Sequence, residues 1–195
     1  MPELDLILPD LYLKPGESCL VREPTILRTL LGSCVGIAFR IPRLGVGALC
    51  HPMLPTYSLK SAGNSSRAIG CRYVDFAIRD LARQFDALGA LRGEVEVKLF
   101  GGADVLLVST AESRPTVGRL NCDAAISVLD SEGFAVLASR LGGTAGVKIQ
   151  FNTMTGEVLL HELGGSDACS SRHCDPSQFP CCPVRLNMAK KVSCG

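Results

Sequence analysis

A chain of 195 residues, 47% of them hydrophobic, has ordinary single-domain size and enough apolar surface for a substantial core without metals or disulfides. Its 20 Lys and Arg nearly cancel 19 Asp and Glu, and no basic run interleaved with aromatics marks a nucleic-acid surface, which sets DNA and RNA aside as partners. The longest strongly apolar stretch, Leu30 to Phe39, contains Gly and Ser and stops at Arg40, about half the length of a bilayer span, so no membrane insertion is expected.

The N-terminal run MPELDLILPD lacks the positive region and small-residue cleavage site of a secretory signal, and a cytoplasmic protein is expected. From Thr25 to Leu31 and from Val35 to Phe39 the apolar, β-branched content predicts two buried strands, with Gly32-Ser33 allowing an irregular backbone just before Cys34. Arg40 to Gly45 turns into a further apolar run, Val46 to Met53, predicting a hairpin with Cys34 near one end and His51 in its returning strand. After a loop from Ser58 to Gly70, Val74, Ile78, Leu81, Phe85 and Leu88 step at helical spacing, and Gly89 supplies a stop.

Glu94 to Phe100 alternates as a half-buried strand does and runs into Gly101-Gly102. A second helix is expected over about Asn121 to Glu132, ended by Gly133. Ala135 to Leu141, Lys148 to Asn152 and Glu157 to His161 read as strands, the last two joined by a short hairpin connection. Strands outnumber helices and do not alternate with them. The expected class is therefore α+β, with mostly antiparallel strands in a layered α/β sandwich and two main helices.

Ten cysteines in a reducing compartment are more often core thiols, ligands or nucleophiles than disulfides. Five crowd into the last 27 residues, where apolar periodicity ends, so the chain divides into a body, residues 1–164, and a Cys-rich tail, residues 165–195. Cys169, His173, Cys174, Cys181 and Cys182 are the candidate zinc ligands there, but no CxxC pair or standard ligand spacing supports a metal site. Cys50 reads as core, because neighbours in a strand face opposite ways. Cys71 and Cys122 read as plain thiols, and His161 as an exposed strand end.

On spacing alone, Cys34 with His51 is weak evidence for catalysis, since ten thiols and three imidazoles offer many accidental pairs. The local context adds to it. Gly-Ser before the thiol forms a tight turn whose backbone N–H groups, those of Ser33 and Cys34, are candidate donors to a developing oxyanion, and the next strand returns an imidazole. A thiol so paired is expected to be more ionised near neutral pH than a free one.

The segments Thr29-Leu30-Leu31-Gly32-Ser33-Cys34-Val35 and Gly47-Ala48-Leu49-Cys50-His51-Pro52-Met53-Leu54-Pro55 resemble the two signature segments of the CheD chemoreceptor glutamine deamidases. Arg72 to Ile78, Lys98 to Ala103, Val117-Gly118 with Asn121, and Gly142-Gly143 followed by Phe151 and Thr155-Gly156 resemble further family segments in the family's order. The resemblance covers roughly Leu27 to Leu160. It implies an α/β sandwich in which Cys34 is the nucleophile, His51 the base and Thr29 the third member. It implies deamidation of glutamine to glutamate on the cytoplasmic helices of methyl-accepting chemotaxis receptors, a protein-glutamine glutaminase reaction through a Cys thioester with no metal or organic cofactor. Hydrolysis of glutamate methyl esters is implied as an accompanying activity, and the CheC phosphatase as a partner. The alternative is a mainly regulatory module that binds CheC with little catalysis. Two positions depart from the family pattern: Leu120 and Val147 stand where arginines are common.

Overall fold

The computed structural model describes residues 7–57, 66–105, 115–163 and 184–186. Its strands form two five-stranded sheets. The first runs β1 (Asp10–Tyr12), β3 (Ile26–Leu31), β8 (Val147–Asn152), β9 (Val158–Glu162) and β10 (Val184–Leu186). The second runs β2 (Ser18–Val21), β5 (Val46–Cys50), β4 (Val35–Ile41), β6 (Glu96–Gly101) and β7 (Val136–Leu141). Pairing is antiparallel except between β1 and β3 and between β6 and β7. The helices are α1 (Arg67–Gly70), α2 (Val74–Ala87) and α3 (Val117–Ser131).

Side-chain alternation along the second sheet gives it two buried faces. Ile37, Phe39, Ile41, Ala48, Cys50, Val97 and Leu99 pack in one core with Ile78, Leu81 and Phe85 of α2 and Ala125 and Leu129 of α3. Ala38, Leu49 and Phe100, on the opposite face, pack with Leu27, Leu31, Ile149, Phe151 and Val158 of the first sheet. The order of layers is helices, second sheet, first sheet. The α+β sandwich expected from the sequence is the one observed.

The middle layer also explains where the strand patterns mislead. The alternation of Glu94 to Phe100 predicts a half-buried strand, yet β6 is covered on both sides, and Lys98, the polar residue that creates the pattern, is itself buried. Its Nζ donates to the Gly156 carbonyl at 2.8 Å, which ties β6 to the β8–β9 turn. Helix α3 begins at Val117 rather than Asn121, because the Thr116 hydroxyl accepts the N–H of Arg119 and caps it a turn earlier. The two expected helix stops are present, with Gly89 and Gly133 left-handed at φ 70° and 76°. Strands β1 and β2 lie where the sequence reading places none. In the tail, β10 adds antiparallel to β9; the candidate zinc ligands Cys169, His173, Cys174, Cys181 and Cys182 lie outside the described residues.

Candidate active site

Cys34 sits in the bend between β3 and β4, at the border of the two sheets. Three successive carbonyls of this bend are held. The Gly32 carbonyl accepts the N–H of Ala103 at 2.8 Å, the Ser33 carbonyl accepts Asn121 Nδ2 at 2.9 Å, and the Cys34 carbonyl accepts the N–H of Gly102 at 2.8 Å. Gly101, at φ 95°, makes the approach of β6 possible, since a side chain there would run into the Cys34 carbonyl.

His51 follows directly on β5 rather than lying inside it, and is 1% exposed. Its backbone is fixed on both sides of the plane: its N–H donates to the Glu17 carbonyl at 2.9 Å, and its carbonyl accepts the N–H of Gly16 at 2.7 Å. These partners belong to the turn between β1 and β2, which sequence reasoning missed; Pro15-Gly16 after the apolar Leu11 to Leu13 is the signal that marks it. The segments carrying Cys34 and His51 run side by side. The N–H of Val35 donates to the Pro52 carbonyl at 3.3 Å, and Asn121 Nδ2 bridges Ser33 to the Met53 carbonyl, also at 2.9 Å.

Thr29, fully buried on β3, closes the arrangement. Its Oγ1 donates to the Leu13 carbonyl at 2.8 Å and lies 2.6 Å from His51 Nδ1. A hydroxyl has one proton to give, and the Leu13 carbonyl only accepts, so the Thr29 oxygen accepts from Nδ1–H. The ring proton is thereby placed on Nδ1. Nε2 is left with its lone pair and, among the described residues, no hydrogen-bond partner.

Burial is the largest influence on the imidazole and takes its pKa down to about 4, against the smaller opposing effects of the Leu13 carbonyl and the Glu17 carboxylate. Burial likewise pushes the Cys34 thiol up from its ordinary value. Both shifts favour the uncharged forms, the opposite direction from the more ionised Cys34 expected from the sequence. Among the described residues, no group of three or more His, Cys, Asp or Glu side chains is arranged to hold a metal ion.

Residues 53–162 match the family described as CheD chemotactic sensory transduction. The chain is 41% identical over 163 residues to the probable chemoreceptor glutamine deamidase CheD 2 of Geobacter sulfurreducens, covering 84% of this chain and 96% of the relative. The chain belongs to the CheD family. A second CheD relative, the probable chemoreceptor glutamine deamidase of Maridesulfovibrio salexigens, is 38% identical over 168 residues, covering 84% of this chain and 97% of its own. A solved structure, the hypothetical protein YfiH of Bacillus licheniformis, is similar at TM-score 0.39 and 10% identity over 60% of this chain and 47% of that one.

Of the residues singled out from the sequence, Thr29 and His51 are in direct contact, and Cys34 lies on the neighbouring, tied segment. Cys50, Cys71 and Cys122 are buried. The two departures from the CheD pattern sit apart from one another: Leu120 is exposed on α3, while Val147 pairs with Leu31 and belongs to the core between the sheets. Asn121, quoted only as part of a motif, joins both halves of the site.

Proposed function

We propose that this CheD-family protein hydrolyses glutamine side chains to glutamate on methyl-accepting chemotaxis receptors, with Cys34 as nucleophile, His51 as base and Thr29 as the residue that orients the imidazole. The observation that carries the residue roles is the Thr29 to His51 contact, which leaves Nε2 bare beside the cysteine-bearing segment. The names of the relatives supply the receptor glutamines as substrate class.

In this scheme Nε2 takes the Sγ proton as Sγ bonds to the amide carbon. The amide oxygen becomes an oxyanion, for which the Ser33 and Cys34 N–H groups are the donors. His51 returns the proton to nitrogen, ammonia leaves, and a thioester remains. A water molecule, deprotonated by Nε2, attacks the thioester; glutamate departs and Cys34 regains its proton. An ester carbonyl fits the same steps, so glutamate methyl esters are proposed as secondary substrates.

Residues 1–164 form the proposed catalytic body, with residues 165–195 as an accessory tail. No helix among the described residues is long and apolar enough to cross a membrane, and we place the protein in the cytoplasm, where receptor helices are reachable. Association with a CheC phosphatase is proposed as a second role at the same face. An intact Thr29, Cys34 and His51 set favours catalysis over binding alone. The test is incubation of a soluble chemoreceptor fragment with the protein, followed by peptide mass mapping. Glutamine-to-glutamate conversion at defined positions, lost in Cys34→Ala, is expected; unchanged glutamines with the native protein would refute the activity.

A further inference from the structure

Asn121 lies near the start of α3, fully buried, with both hydrogen bonds of its Nδ2 going to main-chain carbonyls, those of Ser33 and Met53 at 2.9 Å each. Because both neighbours are acceptors, the side-chain amide has one admissible orientation; reversed, its oxygen would face two carbonyls. Its Oδ1 has no partner among the described residues. A buried oxygen left unsatisfied costs stability. The contacts that the side chain does make are those of Nδ2.

The Ser33 carbonyl belongs to the peptide unit that also carries the N–H of the nucleophile. In a trans peptide the C=O and the N–H point in opposite directions, and no cis peptide occurs in the described chain. With the carbonyls of Gly32, Ser33 and Cys34 drawn toward β6 and α3, the N–H groups of Ser33 and Cys34 are turned away from them. No hydrogen bond within the described residues takes up either N–H. Gly102 and Ala103 hold two of these carbonyls through backbone amides, which any residue supplies. The third depends on a side chain.

Resting on the reading of Cys34 as nucleophile, we propose that Asn121 is a positioning residue of the reaction: by gripping the Ser33 carbonyl it aims the Cys34 N–H at the place where the substrate amide oxygen becomes an oxyanion. Its second bond, to Met53, holds the segment after His51 in register with that N–H. Asn121 does not touch substrate. It acts through one peptide plane.

Asn121→Asp tests this, because a carboxylate of the same shape replaces the donor and repels both carbonyls. Two rates are compared across the native protein, Asn121→Asp and Asn121→Ala, with Cys34→Ala measured for the first rate alone. The first is ammonia release from a soluble chemoreceptor fragment, which needs the oxyanion donor. The second is iodoacetamide alkylation of Cys34, followed by peptide mapping, which proceeds by displacement at carbon and forms no oxyanion. Loss of one such donor lowers kcat by about 100-fold or more. That fall is expected in Asn121→Asp, with KM and the Cys34 alkylation rate each changing by less than about threefold, a split that disturbance of the thiol or of the fold does not produce. Asn121→Ala carries the same comparison if the Asp variant fails to fold. Deamidation at the native kcat, or kcat and alkylation falling by the same factor, would overturn the role of Asn121. Full activity in Cys34→Ala would instead overturn the nucleophile, and the role of Asn121 with it.

Discussion

Thr29 Oγ1 stands 2.6 Å from His51 Nδ1, and the same hydroxyl gives its proton to the Leu13 carbonyl at 2.8 Å. That carbonyl therefore determines which ring nitrogen of His51 is free. Thr29→Ala removes the acceptor from a buried N–H, a loss of about 1–3 kcal/mol that corresponds to a roughly 5- to 150-fold fall in kcat. Thr29→Ser keeps the hydroxyl and retains most of the activity. Steady-state kinetics on both variants checks this; equal losses in the two would show that packing of the threonine methyl, not its oxygen, is what counts.

The pH dependence follows from His51, whose pKa falls from 6.5 to about 4 with burial as the main cause. The acid limb of kcat/KM lies near pH 4 rather than near 6.5. Between those values the unfolded chain binds a proton that the folded chain refuses, so stability increases with pH across that window and is lost as pH falls through it. The loss from this group is about 3 kcal/mol at most. Urea unfolding at several pH values shows it as a steeper decline for the native protein than for His51→Ala, and parallel declines would contradict it.

Burial raises the Cys34 thiol, so its reactivity in the free enzyme is expected to keep climbing beyond the pH at which an ordinary thiol, of pKa about 8.5, levels off. Alkylation of Cys34 followed by peptide mapping from pH 6 to 10 reads this directly. A plateau reached below neutrality would mean a preformed thiolate and would contradict the raised Cys34 thiol.

Gly101 permits the meeting of β6 with the Cys34 bend. Gly101→Ala puts a side chain at φ 95° and into the Cys34 carbonyl, with an expected destabilisation of roughly 1–3 kcal/mol and a fall in kcat as the bend shifts. Gly93→Ala is the control, since its φ is ordinary and a methyl there meets nothing within 4 Å. Thermal unfolding and activity of the pair check the contrast, and similar behaviour of the two variants would remove Gly101 from the site.

Strand β4, helix α2 and the β4–β5 hairpin were legible because their apolar spacing reflects burial that each segment carries in its own residues. What was not legible depended on partners far along the chain. Lys98 reads as a solvent-facing position until the Gly156 carbonyl, 58 residues on, is seen to receive its Nζ. Strand β1 is three residues long and exposed, so no local pattern announces it; it pairs in parallel with β3, just ahead of the Leu13 carbonyl that sets the His51 tautomer. Cys34 and His51 were singled out from motif and resemblance, and the structure places them on adjoining segments. The burial that shifts both groups was not legible, because it comes from residues that the motif does not contain, and Asn121 has no signal of its own beyond lying in a matched segment.

The most direct measurement is peptide mass mapping of a soluble chemoreceptor fragment after exposure to native protein, Cys34→Ala and His51→Ala, each first shown by circular dichroism to be folded. The expected result is conversion of specific glutamines to glutamate by the native protein, none above background by Cys34→Ala, and strongly slowed conversion by His51→Ala. Conversion by Cys34→Ala at the native rate would contradict the assignment of the reaction to this site.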